Sequence, residues 1–193
     1  MIETNSTVVS KAIVIGASAG GLKALTAILQ VLPADYKFPI IIVQHLSPLS
    51  TDFWIKNLNA LCQLEVREAE ANEAIHKGIV YIAPPNYHLL IEEDKTFSLS
   101  GDDKVNLSRP SIDVLFETAS DAFKENLIGI ILTGASKDGA AGIKKIKEKG
   151  GITIAQDPET AEHRFMPEAA IMASTVDYIL PLEGIGELLI NLF

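Results

Sequence analysis

Three residues stand where the sequence could do chemistry. Ser18 lies in the run Gly16-Ala17-Ser18-Ala19-Gly20-Gly21, directly after the apolar stretch AIVIG. Gly-x-Ser-x-Gly is the spacing of a nucleophile elbow, a sharp strand-to-helix turn that lifts a serine Oγ clear of the backbone. Such a turn is crowded, and its five positions here are all Gly, Ala or Ser. The first N–H groups of a following helix would face any oxygen beside the serine. His45 follows a second apolar run, PIIIVQ. An imidazole there could take the serine proton and return it to a leaving group. Asp138 lies just beyond LIGIILTG, the most apolar stretch of the chain. It could hold the His45 tautomer and stabilise the imidazolium.

Each residue also has an inert alternative. Gly16, Ser18 and Gly21 fall on the Gly-x-Gly-x-x-Gly spacing of a dinucleotide phosphate loop, with serine in place of the second glycine. A side chain there obstructs a pyrophosphate. The second strand also ends in Gln44-His45 instead of an acid for a ribose. A purely structural turn is a third option. His45 alone could be a structural strand-end histidine, and Asp138 a helix cap or first-turn acid. His76, His88 and His163 sit in polar or hairpin contexts that suit a catalytic base less. The histidines are scattered with no His/Cys cluster, so no metal site is expected. The chain order Ser, His, Asp differs from the Ser, Asp, His order of α/β-hydrolases, so a triad here would be convergent.

Only alternating strands and helices would bring these residues together. Residues 12–16, 39–45, 64–67, 79–83, 127–134 and 152–156 read as strands, and VDYILPL as a last one. HLLIEED and KTFSLS alternate apolar and polar residues around an Asp-Lys turn, which predicts a hairpin. Helical spacing appears in GGLKALTAILQVLP, stopped by Pro33, and in STDFWIKNLNAL with Ser50 or Thr51 as cap. It recurs from Ser111 onward, in SKDGAAGIKKIKEKG, in MPEAAIMAS and in GIGELLINLF. The expected fold is a doubly wound α/β domain, a mostly parallel sheet flanked by helices with one antiparallel hairpin insert. Open parallel sheets bind ligands beyond the carboxyl ends of their strands. Ser18, His45 and Asp138 each follow such an end.

The 193 residues suit one domain, spanning 1–193, with residues 1–10 as a flexible arm. With 16 basic against 25 acidic residues, the charge of −9 argues against nucleic acid or an anionic membrane as main partner. Lys144, Lys145, Lys147 and Lys149 read as a solvated helix face. Cys62 is the sole cysteine, so no internal disulfide forms, and it reads as a buried small hydrophobe. No signal peptide and no membrane-length apolar run is present, so a cytoplasmic location is expected.

Several stretches together resemble the catalytic domain of CheB-type protein-glutamate methylesterases, without the receiver domain that usually precedes it. They are IVIGASAGGLKAL, IIVQHLSP, VREAEANEAIHKGIVYIAPPNYHLLI, RPSIDVLFETA, GIILTGASKDGAAGIKKIKEKGG, TIAQDPETAEHRFMPEAAI and VDYILPL, in family order over about residues 10–183. The resemblance implies hydrolysis of glutamyl methyl esters on methyl-accepting chemotaxis receptors, with glutamine deamidation in many members. It implies Ser18, His45 and Asp138 as a catalytic triad and no cofactor. The backbone of Ala19, and that near Ala135 or His45, are the oxyanion candidates, and Arg109 could line the cleft or make a structural ion pair. Ala19 stands where many members have Thr, and Ala135-Ser136 where they have Met-Gly. The alternative is a catalytically idle CheB-like interaction module in a chemosensory complex.

Overall fold

The computed structural model describes residues 9–45 and 51–191. Strands form where β-branched residues run together. β1 (Ala12–Ala17), β2 (Ile40–Gln44) and β7 (Leu127–Ile131) are buried at every position, as strands covered on both faces must be. Around them lie α1 (Gly21–Leu29), α2 (Thr51–Leu61), β3 (Glu65–Glu68), β4 (Ile79–Ile82), β5 (His88–Ile91) and β6 (Phe97–Ser100). Then come α3 (Ile112–Phe123), α4 (Ala140–Glu148), β8 (Ile152–Gln156), α5 (Phe165–Ala173), β9 (Tyr178–Leu180) and α6 (Leu182–Asn191). Seven strands make one parallel sheet in the order β3-β4-β2-β1-β7-β8-β9. β5 and β6 pair antiparallel in a separate hairpin, with Ile91 opposite Phe97. This is the doubly wound fold that the alternation of elements predicts.

Successive strand residues face opposite sides of the sheet. Ile13, Ile15, Ile40 and Ile42 pack with Leu25 and Ile28 of α1 and Ile185 and Leu189 of α6. Val14, Ile41 and Val43 pack the other way, with Leu115 and Phe116 of α3 and Ile143 and Ile146 of α4. Each such buried side chain contributes roughly 1.5–3 kcal/mol, so the two layers hold the central strands in register.

Several boundaries differ from the sequence reading. The first helix closes at Leu29, short of Pro33. α4 starts at Ala140 instead of Ser136, because Gly139 takes a left-handed φ of 97° and leaves Asp138 in the preceding turn. Val9, read as part of a loose arm, is buried in the core. Cys62 is half-buried just beyond α2. The lysines of α4 and Lys149 just beyond it are paired: Lys145 and Lys149 with Asp121, Lys147 with Asp177 and Lys144 with Glu148. Residues 1–8, Ser50 and residues 192–193 lie outside the described residues. Among the described residues no helix is long and apolar enough to cross a membrane.

Candidate active site

β1 lies between β2 and β7, so the carboxyl ends of these three strands adjoin. The strand order reverses at β1, where a crevice opens in folds of this kind. Ser18 leaves β1, His45 leaves β2, and Asp138 lies in the loop after β7. His45 Nδ1 is 3.3 Å from Ser18 Oγ, and His45 Nε2 is 2.9 Å from Asp138 Oδ2. An ionised carboxylate only accepts, so the imidazole carries its proton on Nε2. That leaves the Nδ1 lone pair facing the serine hydroxyl. The histidine side chain is 15% exposed and the aspartate wholly buried.

The turn around Ser18 is held from both neighbouring strands. Ser18 N–H donates to Thr133 O at 3.0 Å, and Gly21 N–H returns to Ser18 O at 2.9 Å. The buried Gln44 amide donates to Ser18 O at 2.8 Å and to His45 O at 3.1 Å, tying the backbones of these two residues together. A Cβ at Gly21 would lie 2.0 Å from Gln44 Oε1, so only glycine leaves room for that amide. A Cβ at Gly16 would lie 2.4 Å from Ile112 Cγ2. The missing side chain lets the start of α3 rest against the end of β1.

That close approach determines the setting of Asp138. Its Oδ2 accepts from Ile112 N–H at 2.7 Å and from His45. Its Oδ1 accepts from Ser111 Oγ at 2.7 Å, Asn106 Nδ2 at 3.0 Å and Asp113 N–H at 3.2 Å. Burial pushes the Asp138 pKa up, but the hydrogen bonds from His45, Asn106, Ile112 and Ser111 outweigh it and hold the carboxyl below its ordinary value. Asp138 thus caps a helix, but that helix is α3 and not the one it precedes. Asp113, also buried, accepts from Gly142 N–H at 2.7 Å and from the same Asn106 amide at 2.8 Å. Burial lifts its pKa, the Gly142 bond pulls it back, and the charge of Asp138 adds to a net rise.

The other candidates fall around this centre. The Ala19 and Ala135 N–H groups take no part in the hydrogen bonds of the described residues, while Ala19 O is fixed by Thr133 Oγ1 at 2.9 Å. The His45 N–H is spent on Ala17 O at 3.1 Å, which removes it as an oxyanion donor. Among the described residues Arg109 hydrogen-bonds to none of Ser18, His45 and Asp138 and makes no ion pair. Its Nη1 donates to Gly101 O at 2.6 Å and Asp102 O at 2.7 Å. It also borders a cleft of about 250 Å³ that His45, Asn86 and Leu107 share. His88 accepts from Ser111 N–H on Nδ1 at 3.2 Å and donates from Nε2 to Asp103 O at 3.0 Å. It therefore supports the start of α3. His76 N–H donates to the Tyr81 hydroxyl at 3.0 Å, and His163 N–H to Thr133 Oγ1 at 2.8 Å.

Gln44, Asn106, Ser111 and Asp113 also build the site, and none of them is a site candidate on sequence alone. Gln44 and Ser111 carried a faint signal, one preceding His45 and the other opening a predicted helix. Asn106 carried none beyond the tolerance of asparagine for left-handed backbone. Among the described residues no group of three or more His, Cys, Asp and Glu could hold a metal ion.

Comparison with known proteins gives concordant results. The model of the CheB methylesterase family matches residues 13–189. A protein of Leptospira interrogans, named for protein-glutamate methylesterase and protein-glutamine glutaminase, is 58% identical over 182 residues, covering 94% of each chain. A Thermotoga maritima protein of the same name is 39% identical over 192 residues, 98% of this chain and 56% of that one. The crystal structure of the Thermotoga maritima CheB methylesterase catalytic domain superposes with a TM-score of 0.91 at 40% identity, covering 95% of this chain and 99% of that chain.

Proposed function

The chain belongs to the CheB methylesterase family, and from that premise we propose that it hydrolyses glutamyl methyl esters on methyl-accepting chemotaxis receptors through Ser18, His45 and Asp138. The observation that carries this reading is the unbroken hydrogen-bond line from Ser18 Oγ through the His45 ring to Asp138. Ser18 Oγ gives its proton to His45 Nδ1 and bonds to the ester carbonyl carbon, whose oxygen takes the negative charge. The Ala19 and Ala135 N–H groups are the donors available to that oxygen. Asp138 stabilises the imidazolium without itself taking the proton. The tetrahedral adduct collapses, the C–O bond to the methoxy group breaks, and His45 Nδ1–H protonates the leaving methanol. Water, deprotonated by His45, then attacks the acyl-serine and frees the glutamate carboxylate and Ser18. With a glutamine side chain the same route releases ammonia. No step needs a cofactor.

The test is methanol release from a receptor carrying labelled methyl esters, combined with a fluorophosphonate probe. Wild-type protein releases methanol and is labelled at Ser18. Ser18→Ala does neither and retains the wild-type circular dichroism spectrum. Absence of both activities in the wild type would leave the idle interaction module as the reading. Full activity in Ser18→Ala would discard the triad assignment.

A further inference from the structure

Beside the triad the chain turns in a way that its sequence does not favour. Val105 N–H donates to Ser108 O at 3.2 Å and Ser108 N–H to Val105 O at 2.9 Å, closing a tight turn on Asn106 and Leu107. Both central residues are left-handed, with φ of 49° and 65°. Asparagine tolerates that region. Leucine does not, and glycine is the residue that commonly fills the second position. Leu107 is 90% exposed, so its side chain contributes no core packing in return. The turn is also close to the chemistry. Asn106 Nδ2 is bonded to Asp138 Oδ1 and Asp113 Oδ2, and Leu107 borders the same cleft as His45. A left-handed turn is thus pinned to the catalytic acid while a large apolar side chain stands in solvent at the rim of the site.

We propose that Leu107 is a specificity-determining residue, an apolar contact for the protein part of the substrate flanking the reacting glutamyl ester. The inference rests on the esterase reading above. A glutamyl side chain is short, so when its ester reaches Ser18 the polypeptide that bears it lies over the rim, within reach of groups bordering His45. Covering a solvated leucine there stabilises a protein substrate and does nothing for a small ester that enters alone. The Asn106 amide keeps this contact at a fixed distance from Asp138, so little ordering remains to be done on binding.

The test compares Leu107→Gly and Leu107→Ala on methylated receptor and on p-nitrophenyl acetate. Glycine removes the side chain and relieves the backbone, whereas alanine removes the side chain and keeps the Cβ. Both variants are expected to raise KM for the receptor and to lower kcat/KM about tenfold, with p-nitrophenyl acetate turnover unchanged and Leu107→Gly melting no lower than wild type. Unchanged kcat/KM on the receptor overturns the proposal. So does an equal fall on both substrates, or a fall with glycine alone, since these assign the effect to turn geometry. Receptor binding by Ser18→Ala, with and without Leu107→Gly, reads the contact independently of turnover. Its outcome stands even if the wild type proves to be no esterase.

Discussion

The Asp138 carboxylate lies 2.7 Å from the Ile112 N–H, inside the first turn of α3. An anion at a helix start gains from the free N–H groups and the helix dipole, by about 0.3–1 kcal/mol and up to ~2 kcal/mol when partly buried. The same carboxylate orients His45. In the proposed mechanism the acid that serves the base is therefore also the cap of a helix, and catalysis and stability share one group.

Asp138→Asn should separate the two roles poorly, because it harms both. An amide keeps the size but places an NH₂ against donors, at the Oδ1 position the Asn106 amide and the Asp113 N–H, at the Oδ2 position the Ile112 N–H and the His45 ring. The ring is then free to turn or to change tautomer. We expect kcat on a small ester to fall about 10³–10⁴-fold, with a lower melting temperature. Steady-state kinetics and calorimetry check both.

Stability should depend on pH in two opposed ways. The folded pKa of Asp138 lies below its ordinary 3.8. Its contribution is fully present above the unfolded value and is lost as pH falls through the folded one. Asp113 is raised above 3.8. Its contribution is present below the unfolded value and is lost as pH rises through the folded one. Urea midpoints measured between about pH 2 and 6 should show the acid limb weakened in Asp138→Asn. The opposite slope should be weakened in Asp113→Asn.

Gly16→Ala should destabilise the fold by about 1–3 kcal/mol, since its Cβ overlaps Ile112 and one of the two must move. Displacing α3 also takes the Ile112 N–H from Asp138. Ester hydrolysis should therefore slow in the portion of the sample that remains folded. Urea unfolding, with kinetics normalised to active sites titrated by fluorophosphonate, measures the two effects.

Asn106→Ala removes one amide from two buried carboxylates. A loss of about 1–3 kcal/mol is expected, together with a lower kcat on p-nitrophenyl acetate at unchanged KM. The acid limb of the urea-midpoint profile should move to higher pH, because Asp138 then holds its charge less firmly. A mere loosening of the loop would leave that limb where it is.

The strand ends that bear Ser18, His45 and Asp138 were legible because each follows an apolar run of strand length. The partners of Asp138 were not. Ser111 and Ile112 precede β7 in the chain and meet Asp138 only because α3 settles on β1 at Gly16, a packing event that no local pattern encodes. The ring nitrogen that faces Ser18 depends on side-chain orientation, which spacing does not set. Leu107 runs against its own backbone preference, so propensity points away from the turn it occupies. The apolar pattern runs a residue or more past the strand ends at β4, β7 and β9, where apolar residues continue into the loops.

Ser18 and His45 stand 27 positions apart, and His45 and Asp138 stand 93 apart. Parallel strands joined by long crossovers come together late, after much chain entropy has been lost. A ribosome releases Ser18 and His45 long before Asp138, and α3 before the acid that caps it. In the proposed mechanism a nascent or partly folded chain therefore holds its serine unactivated. Hydrolytic competence arrives only when the centre of the sheet has closed, so the return of fluorophosphonate reactivity during refolding times that closure.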